Sequence, residues 1–133
     1  AEQVRTPWTR GGPDMALTRM VKVGAGKVRA RIHIPEAGAG NGTFVYLHGG
    51  GWTVFSIDTH DRLMREYAHR TGCAVVGLDY SLSPEHRFPR ALDDVDACIT
   101  WLLTYGKAEG LNTSRFALGG DSAGANLSLC TAL

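Results

Sequence analysis

The sequence has 133 residues, of which 44% are hydrophobic, and its 14 Lys and Arg residues nearly balance 13 Asp and Glu residues. This composition excludes an intrinsically disordered chain, which has low hydrophobicity and high net charge, and it excludes a basic nucleic-acid-binding protein. The sequence contains no run of about 18 apolar residues, the length that could span a membrane, and no secretory leader is visible. We therefore expect a cytoplasmic domain, with Cys73, Cys98 and Cys130 as buried thiols because each lies in an apolar run.

The first predicted elements form a β-hairpin. Residues 1–16 show no periodicity, and we interpret them as a loop or as a piece of a larger element. Residues 17–23 and 27–34 are both typical of strands, and the glycine-rich turn between them favours a hairpin. Within the second strand, apolar residues alternate with Arg29, Arg31 and His33, and this alternation predicts that these side chains face solvent.

The rest of the chain predicts a mostly parallel sheet flanked by helices. Three apolar runs show no alternation, which is typical of strands that are buried on both faces. They are residues 43–47, 73–78 and 115–118. Helices are predicted between and after them, at residues 59–71, 89–105 and 122–133. His60 and His69 lie on the polar face of the first helix, where we expect surface residues, and the last helix is apolar enough to be buried. This order of elements indicates α/β architecture.

The segment Gly120-Asp121-Ser122-Ala123-Gly124 matches the pattern G-x-S-x-G. The pattern alone is a weak signal in a chain with 17 glycines, and a glycine-rich turn with a serine helix cap is an equally good interpretation. Its context favours a nucleophile elbow, because it follows a short apolar strand and opens a helix. The glycines would then be needed where strand and helix pass too closely for a Cβ atom.

A second motif, His48-Gly49-Gly50-Gly51-Trp52, follows the predicted strand 43–47. Three glycines after a buried strand let backbone N–H groups point at a ligand, as in an oxyanion hole. A flexible loop is the alternative. A phosphate-binding loop is disfavoured because neither Lys-Ser nor Lys-Thr follows the glycines. The residue after an elbow serine and a glycine-rich loop on a neighbouring strand together build one oxyanion hole, so each motif strengthens the other.

With both motifs, the sequence resembles the hormone-sensitive-lipase-like branch of the α/β-hydrolase superfamily, and within it the bacterial acetyl esterases. The resemblance extends over nearly all of residues 17–133 in family order and spacing. It is carried by residues 48–52, 58–62, 79–89 and 119–126.

The resemblance implies a role for each motif residue. Ser122 is the expected nucleophile, and the backbone N–H groups of Gly50, Gly51 and Ala123 are the expected oxyanion hole. It implies a small-molecule ester as substrate, without a cofactor or a metal ion, and leaves the oligomeric state open.

The remaining motif residues have supporting roles in this resemblance. His48 and Gly49 shape the oxyanion loop, while the elbow contains Gly120, Gly124 and Asp121, the last of which organises the turn rather than serving as the triad acid. Trp52 and Phe55 are expected either to line the substrate pocket or to pack in the core.

The acid and the base of a catalytic triad do not follow Ser122, although the fold places both after the nucleophile. None of residues 123–133 is Asp, Glu or His. We therefore expect residues 17–133 to be the N-terminal half of a truncated catalytic domain, residues 1–16 to be a remnant of an N-terminal cap or lid, and the isolated chain to have almost no turnover. The alternative is a receptor-like protein of the same fold that binds a small molecule without catalysis.

Overall fold

Residues 9–133, described in a computed structural model, form one mixed sheet with helices on both faces. In chain order the elements are β1 (Leu17–Val23), β2 (Val28–Ile34), β3 (Thr43–Leu47), α1 (Asp61–Thr71), β4 (Ala74–Leu78), α2 (Arg90–Tyr105), β5 (Phe116–Gly120) and α3 (Ala123–Ala132). The predicted hairpin, strands and helices are all present, and most boundaries agree within two residues.

The strands lie in the order β1-β2-β4-β3-β5. The hairpin strands pair antiparallel, and β2 joins β4 antiparallel. Strand β3 then pairs in parallel with both β4 and β5, so that Leu47 lies opposite Leu78 on one side and Gly120 on the other. The C-terminal ends of β3 and β5 therefore lie side by side at the same end of the sheet, and this brings the two glycine-rich motifs together.

Two hydrophobic cores cover the two faces of the sheet. The larger core packs sheet residues such as Ile32, Val45 and Val76 against α2 and α3, which contribute Val95 and Leu127. The smaller core lies under α1 and contains Tyr46, Ile57, Met64, Ala68 and Val75. Because both faces are covered, β4 is buried along its whole length, as its unbroken apolar run predicts.

Helix α1 ends at residue 71, as predicted, and Gly72 closes it in a left-handed conformation (φ 67°) with its N–H donating to the carbonyl of Ala68. The chain before β1 contacts this helix, where Arg65 Nη1 lies 3.5 Å from the carbonyl oxygen of Pro13. Residues 1–8 of the predicted cap remnant lie outside the described residues, so the assignment of residues 1–16 to a cap stays a prediction.

The prediction that His33 and His60 lie at the surface is wrong, whereas His69 is exposed as expected. His33 is completely buried and His60 is 5% exposed. Alternation along β2 identifies a polar face, but α1 packs across that face and covers His33, which bonds to Asp61 of the helix. His60 lies just before α1 and is enclosed by the rings of Tyr46, His48 and Phe55.

The prediction of a fully buried last helix, and of three buried thiols, is also only partly correct. In α3, Leu127 and Ser128 are buried, but Leu129 is 63% exposed and Cys130 is exposed, because no described element packs on that face. Cys98 is buried and Cys73 is half-buried. Within residues 9–133, no helix is both long and apolar enough to cross a membrane.

Candidate active site

Ser122 occupies the turn between β5 and α3 in a conformation that a non-glycine residue rarely adopts. Its backbone angles are φ 50° and ψ −116°, and the residue is exposed. Such a conformation costs on the order of 1–3 kcal/mol and persists only where the surroundings enforce it. The hydroxyl makes no capping hydrogen bond to α3. The serine-cap interpretation therefore does not describe this turn, which has the strained geometry expected of an elbow.

The two glycines of the elbow motif are required by close backbone packing. A Cβ atom on Gly124 would lie 2.5 Å from the carbonyl carbon of Leu47 and 2.8 Å from the carbonyl oxygen of His48. A Cβ atom on Gly120 would lie 2.9 Å from the carbonyl carbon of Gly124 and would also collide with Leu47. The obstacle is thus chiefly the end of the neighbouring strand β3, in addition to the crossing of strand and helix that the sequence predicts.

The loop after β3 folds back tightly through a series of left-handed residues. Gly50, Gly51 and Trp52 have φ values of 130°, 59° and 61°. The carbonyl of Gly50 accepts hydrogen bonds from the N–H groups of Thr53 and Val54, each at 3.1 Å. This turn fixes the direction of the peptide planes that carry the N–H groups of the predicted oxyanion hole.

Asp121 links the loop to the elbow. Its Oδ1 accepts hydrogen bonds from the N–H of Gly49, at 2.9 Å, and from the hydroxyl of Tyr46, at 2.5 Å. The Nε2 of His60 lies 3.7 Å from the same oxygen. One carboxylate oxygen of Asp121, the residue before Ser122, is therefore held by β3 and by the loop that follows β3.

A second tyrosine supports the loop from the larger core. The hydroxyl of Tyr80 donates to the carbonyl of His48 at 2.6 Å, and the two rings stack with centroids 4.5 Å apart. Burial, together with the carboxylates of Asp121 and Asp79, raises the pKa of Tyr80 well above its usual range. Tyr80 is therefore a protonated donor at neutral pH.

A cavity of about 380 Å³ opens between the glycine-rich loop after β3 and the first turns of α3. Its lining is mainly apolar and includes Trp52, Phe88, Leu92 and Leu127, with Asn126 and Ser81 among its polar residues. Of the two aromatic residues named from the sequence, Trp52 lines this cavity and Phe55 does not. Phe55 instead lies against Gly50 and His60.

Sequence reasoning missed Tyr46, Tyr80, His60 and most residues of the cavity. Tyr46 lies within a run interpreted as a buried apolar strand, which conceals the role of its hydroxyl group.

Among residues 9–133, no cluster of three or more His, Cys, Asp or Glu residues is arranged to hold a metal ion.

Comparison with known proteins shows that this chain is similar to solved structures of esterases. Residues 44–133 match a family described as having the alpha/beta hydrolase fold. An esterase from Pyrobaculum calidifontis superimposes with a TM-score of 0.88 at 33% identity, covering 98% of this chain and 43% of that chain. A thermophilic carboxylesterase cloned from a metagenomic library gives a TM-score of 0.87 at 38% identity, covering 98% of this chain and 45% of that one.

An ester hydrolase from the metagenome of Lake Arreo is similarly related, with a TM-score of 0.88, 32% identity and coverage of 98% of this chain and 42% of that chain. The chain thus spans less than half the length of these solved structures. With a family match over residues 44–133 and the strand order and elbow described above, the protein belongs to the α/β-hydrolase fold family.

Proposed function

We propose that the whole protein is a carboxylic-ester hydrolase of the hormone-sensitive-lipase-like branch, with Ser122 as its nucleophile. The observation that carries the proposal is the strained, exposed position of Ser122, directly beside a glycine-rich loop that Asp121 ties to it. Strain of this kind marks functional sites, because folding alone does not favour it.

In this mechanism Ser122 attacks the ester carbonyl carbon, and its proton passes to a histidine base. The N–H groups of Gly50, Gly51 and Ala123 stabilise the negative charge on the carbonyl oxygen, with about 3 kcal/mol typical for one such donor. The alcohol leaves with the proton, and water then releases the acid from the acyl-enzyme. We place the base and the acid outside these 133 residues, in a catalytic domain of which residues 17–133 form the first part.

We propose that the substrate is an ester of a short acyl group such as acetyl. The cavity beside the oxyanion loop has a volume of about 380 Å³ and an apolar lining, which suits a small ester. Within it, Trp52 contacts either the acyl or the alcohol group. This chemistry needs no cofactor, and we propose that it takes place in the cytoplasm.

The test is hydrolysis of p-nitrophenyl acetate by the full-length protein and its variant Ser122→Ala. Loss of the nucleophile should reduce kcat by about 10³-fold or more, with the fold intact by circular dichroism. Ser114→Ala is the matched control, because Ser114 is an exposed loop residue that bonds to Asn112. Full activity of Ser122→Ala would refute the assignment. Ester binding without any turnover of the parent protein would favour the receptor-like alternative.

A further inference from the structure

The hydroxyl of Tyr46 has a role that the proposed esterase mechanism does not assign. Tyr46 is the second-last residue of β3, and its ring is 1% exposed in the small core under α1. Most side-chain hydrogen bonds go to backbone or water, but this hydroxyl donates to the side chain of Asp121, in the turn that follows β5.

We propose that Tyr46 is a positioning residue that fixes the distance between the oxyanion loop and Ser122 by holding the carboxylate of Asp121. This inference rests on the proposed function. Asp121 precedes Ser122 in the chain, and Gly49 precedes the predicted N–H donors of Gly50 and Gly51. The hydrogen bond from Gly49 N to Asp121 Oδ1 therefore joins the residue before the nucleophile to the residue before the predicted donors, and the phenol sets the rotamer of the carboxylate that makes it.

The ring of Tyr46 has little freedom to deliver its hydroxyl elsewhere. It packs edge-on against Phe44, with centroids 6.0 Å apart. It also lies at a tilt against Tyr67, at 5.8 Å, and against His60, at 6.2 Å. Its strand is paired on both sides, since Tyr46 lies opposite Gly77 and Gly119. A rigid donor on a strand that is paired on both sides can define the position of a carboxylate more closely than a loop residue could.

The phenol of Tyr46 also stays protonated at neutral pH. Burial and the hydrogen bond to the Asp121 carboxylate raise the pKa of Tyr46 far above its usual range. The negative charge of Asp121 makes this a charge-assisted bond, which is stronger than a bond between neutral groups.

A positioning role predicts a selective effect on the chemical step. An oxyanion hole acts on the charge that develops in the transition state, so a misplaced N–H group lowers kcat more than it alters substrate binding. In the full-length protein, Tyr46→Phe should lower kcat for p-nitrophenyl acetate by about tenfold and leave KM within about twofold of the parent value. Inactivation by a phosphonate ester, which forms a tetrahedral adduct on the nucleophile, should slow by a similar factor.

Tyr67→Phe is the matched control for this experiment. It removes the same hydroxyl group from the adjacent ring of the same aromatic cluster, and Tyr67 is 39% exposed. Its kcat should equal that of the parent. Equal kcat values for Tyr46→Phe and Tyr67→Phe would overturn the proposal, as would a rise in KM of Tyr46→Phe with kcat unchanged.

A double-mutant cycle with Asp121→Ala separates positioning through Asp121 from a general packing role. If Tyr46 acts through the carboxylate, the double variant should be no slower than Asp121→Ala alone, within about twofold. Multiplicative losses would refute the proposal. Ser122→Ala belongs in the same series, because its full activity would refute the esterase mechanism itself, whereas an inactive Ser122→Ala beside an unaffected Tyr46→Phe would refute only the role of Tyr46.

Discussion

Two polar clusters lie on the same side of the sheet, and they differ in the backbone that they hold. The site cluster, formed by Tyr46, Asp121 and the N–H of Gly49, joins the ends of two strands where the chain is strained. The ion cluster lies between β2 and α1. It consists of Arg31, His33, Asp58, Asp61 and Arg65.

The ion cluster connects regular elements. Asp61 accepts hydrogen bonds from Arg31 and Arg65 at 2.8 Å and from His33 at 2.9 Å, and Thr18 bonds to the other nitrogen of that histidine. Similar hydrogen bonds therefore have different consequences. Those of the ion cluster hold a helix on a sheet and should affect stability, whereas those of the site cluster hold strained turns in register and should affect catalysis.

The largest expected effect is that of Gly124→Ala in the elbow. The added methyl group would collide with the backbone of Leu47 and His48, which cannot move without shifting β3. We expect α3 to be displaced, with a loss of about 100-fold or more in kcat and about 1–3 kcal/mol in the free energy of unfolding.

Gly40→Ala is the control for that variant, because a Cβ atom on Gly40 would meet no atom within 4 Å. Ester hydrolysis and urea unfolding of the two variants provide the comparison. If Gly124→Ala matched Gly40→Ala in both measurements, the close contact between the elbow and β3 would be without consequence.

The next effect concerns stability in the ion cluster. Asp61→Asn removes the charge that three cationic or histidine side chains share, and we expect the free energy of unfolding to fall by about 1–3 kcal/mol. The kcat of the folded variant should remain at the parent value, because within residues 9–133 Asp61 makes no hydrogen bond or ion pair with either glycine-rich motif. Urea unfolding and initial rates test this, and a selective loss of kcat would break the distinction between the clusters.

The pH dependence of stability sharpens the same distinction. Burial alone would raise the pKa of Asp61, but hydrogen bonds from His33, Arg65 and Arg31 outweigh it and hold this pKa well below its usual range. The unfolded chain then binds the proton more readily, so stability should decrease as pH falls below about 4. Between pH 5 and 3, the free energy of unfolding of Asp61→Asn should fall less steeply with pH than that of the parent. The slope should be smaller by an amount on the order of one bound proton. Identical slopes in the parent and the variant would contradict this role of Asp61.

The smallest effect is expected in the apolar core on the opposite face. Burial raises the pKa of the Cys98 thiol to about 12, so that little thiolate exists at neutral pH. In a Cys73→Ser/Cys130→Ser background, Cys98 should react with Ellman's reagent only after denaturation. Rapid modification of the native protein would show that this core opens more readily than its packing indicates.

The sequence was sufficient to predict much of the fold because its signals are local. The hairpin turn, the αL glycine at Gly72 and the strand–turn–helix around Ser122 each follow from short patterns. The failures at His33 and Cys130 are long-range, since they depend on which element covers a face. The partnership of Tyr46 with Asp121 joins residues that are 75 positions apart, and no local pattern contains it.

The most direct test of the central claim is to identify the residue that a phosphonate ester modifies in the full-length protein. A serine nucleophile displaces the leaving group of such an ester and keeps the phosphonyl group, so peptide mass spectrometry locates it. We predict a single adduct on Ser122 that is absent from Ser122→Ala. An adduct on another residue, or unchanged labelling of Ser122→Ala, would contradict the claim.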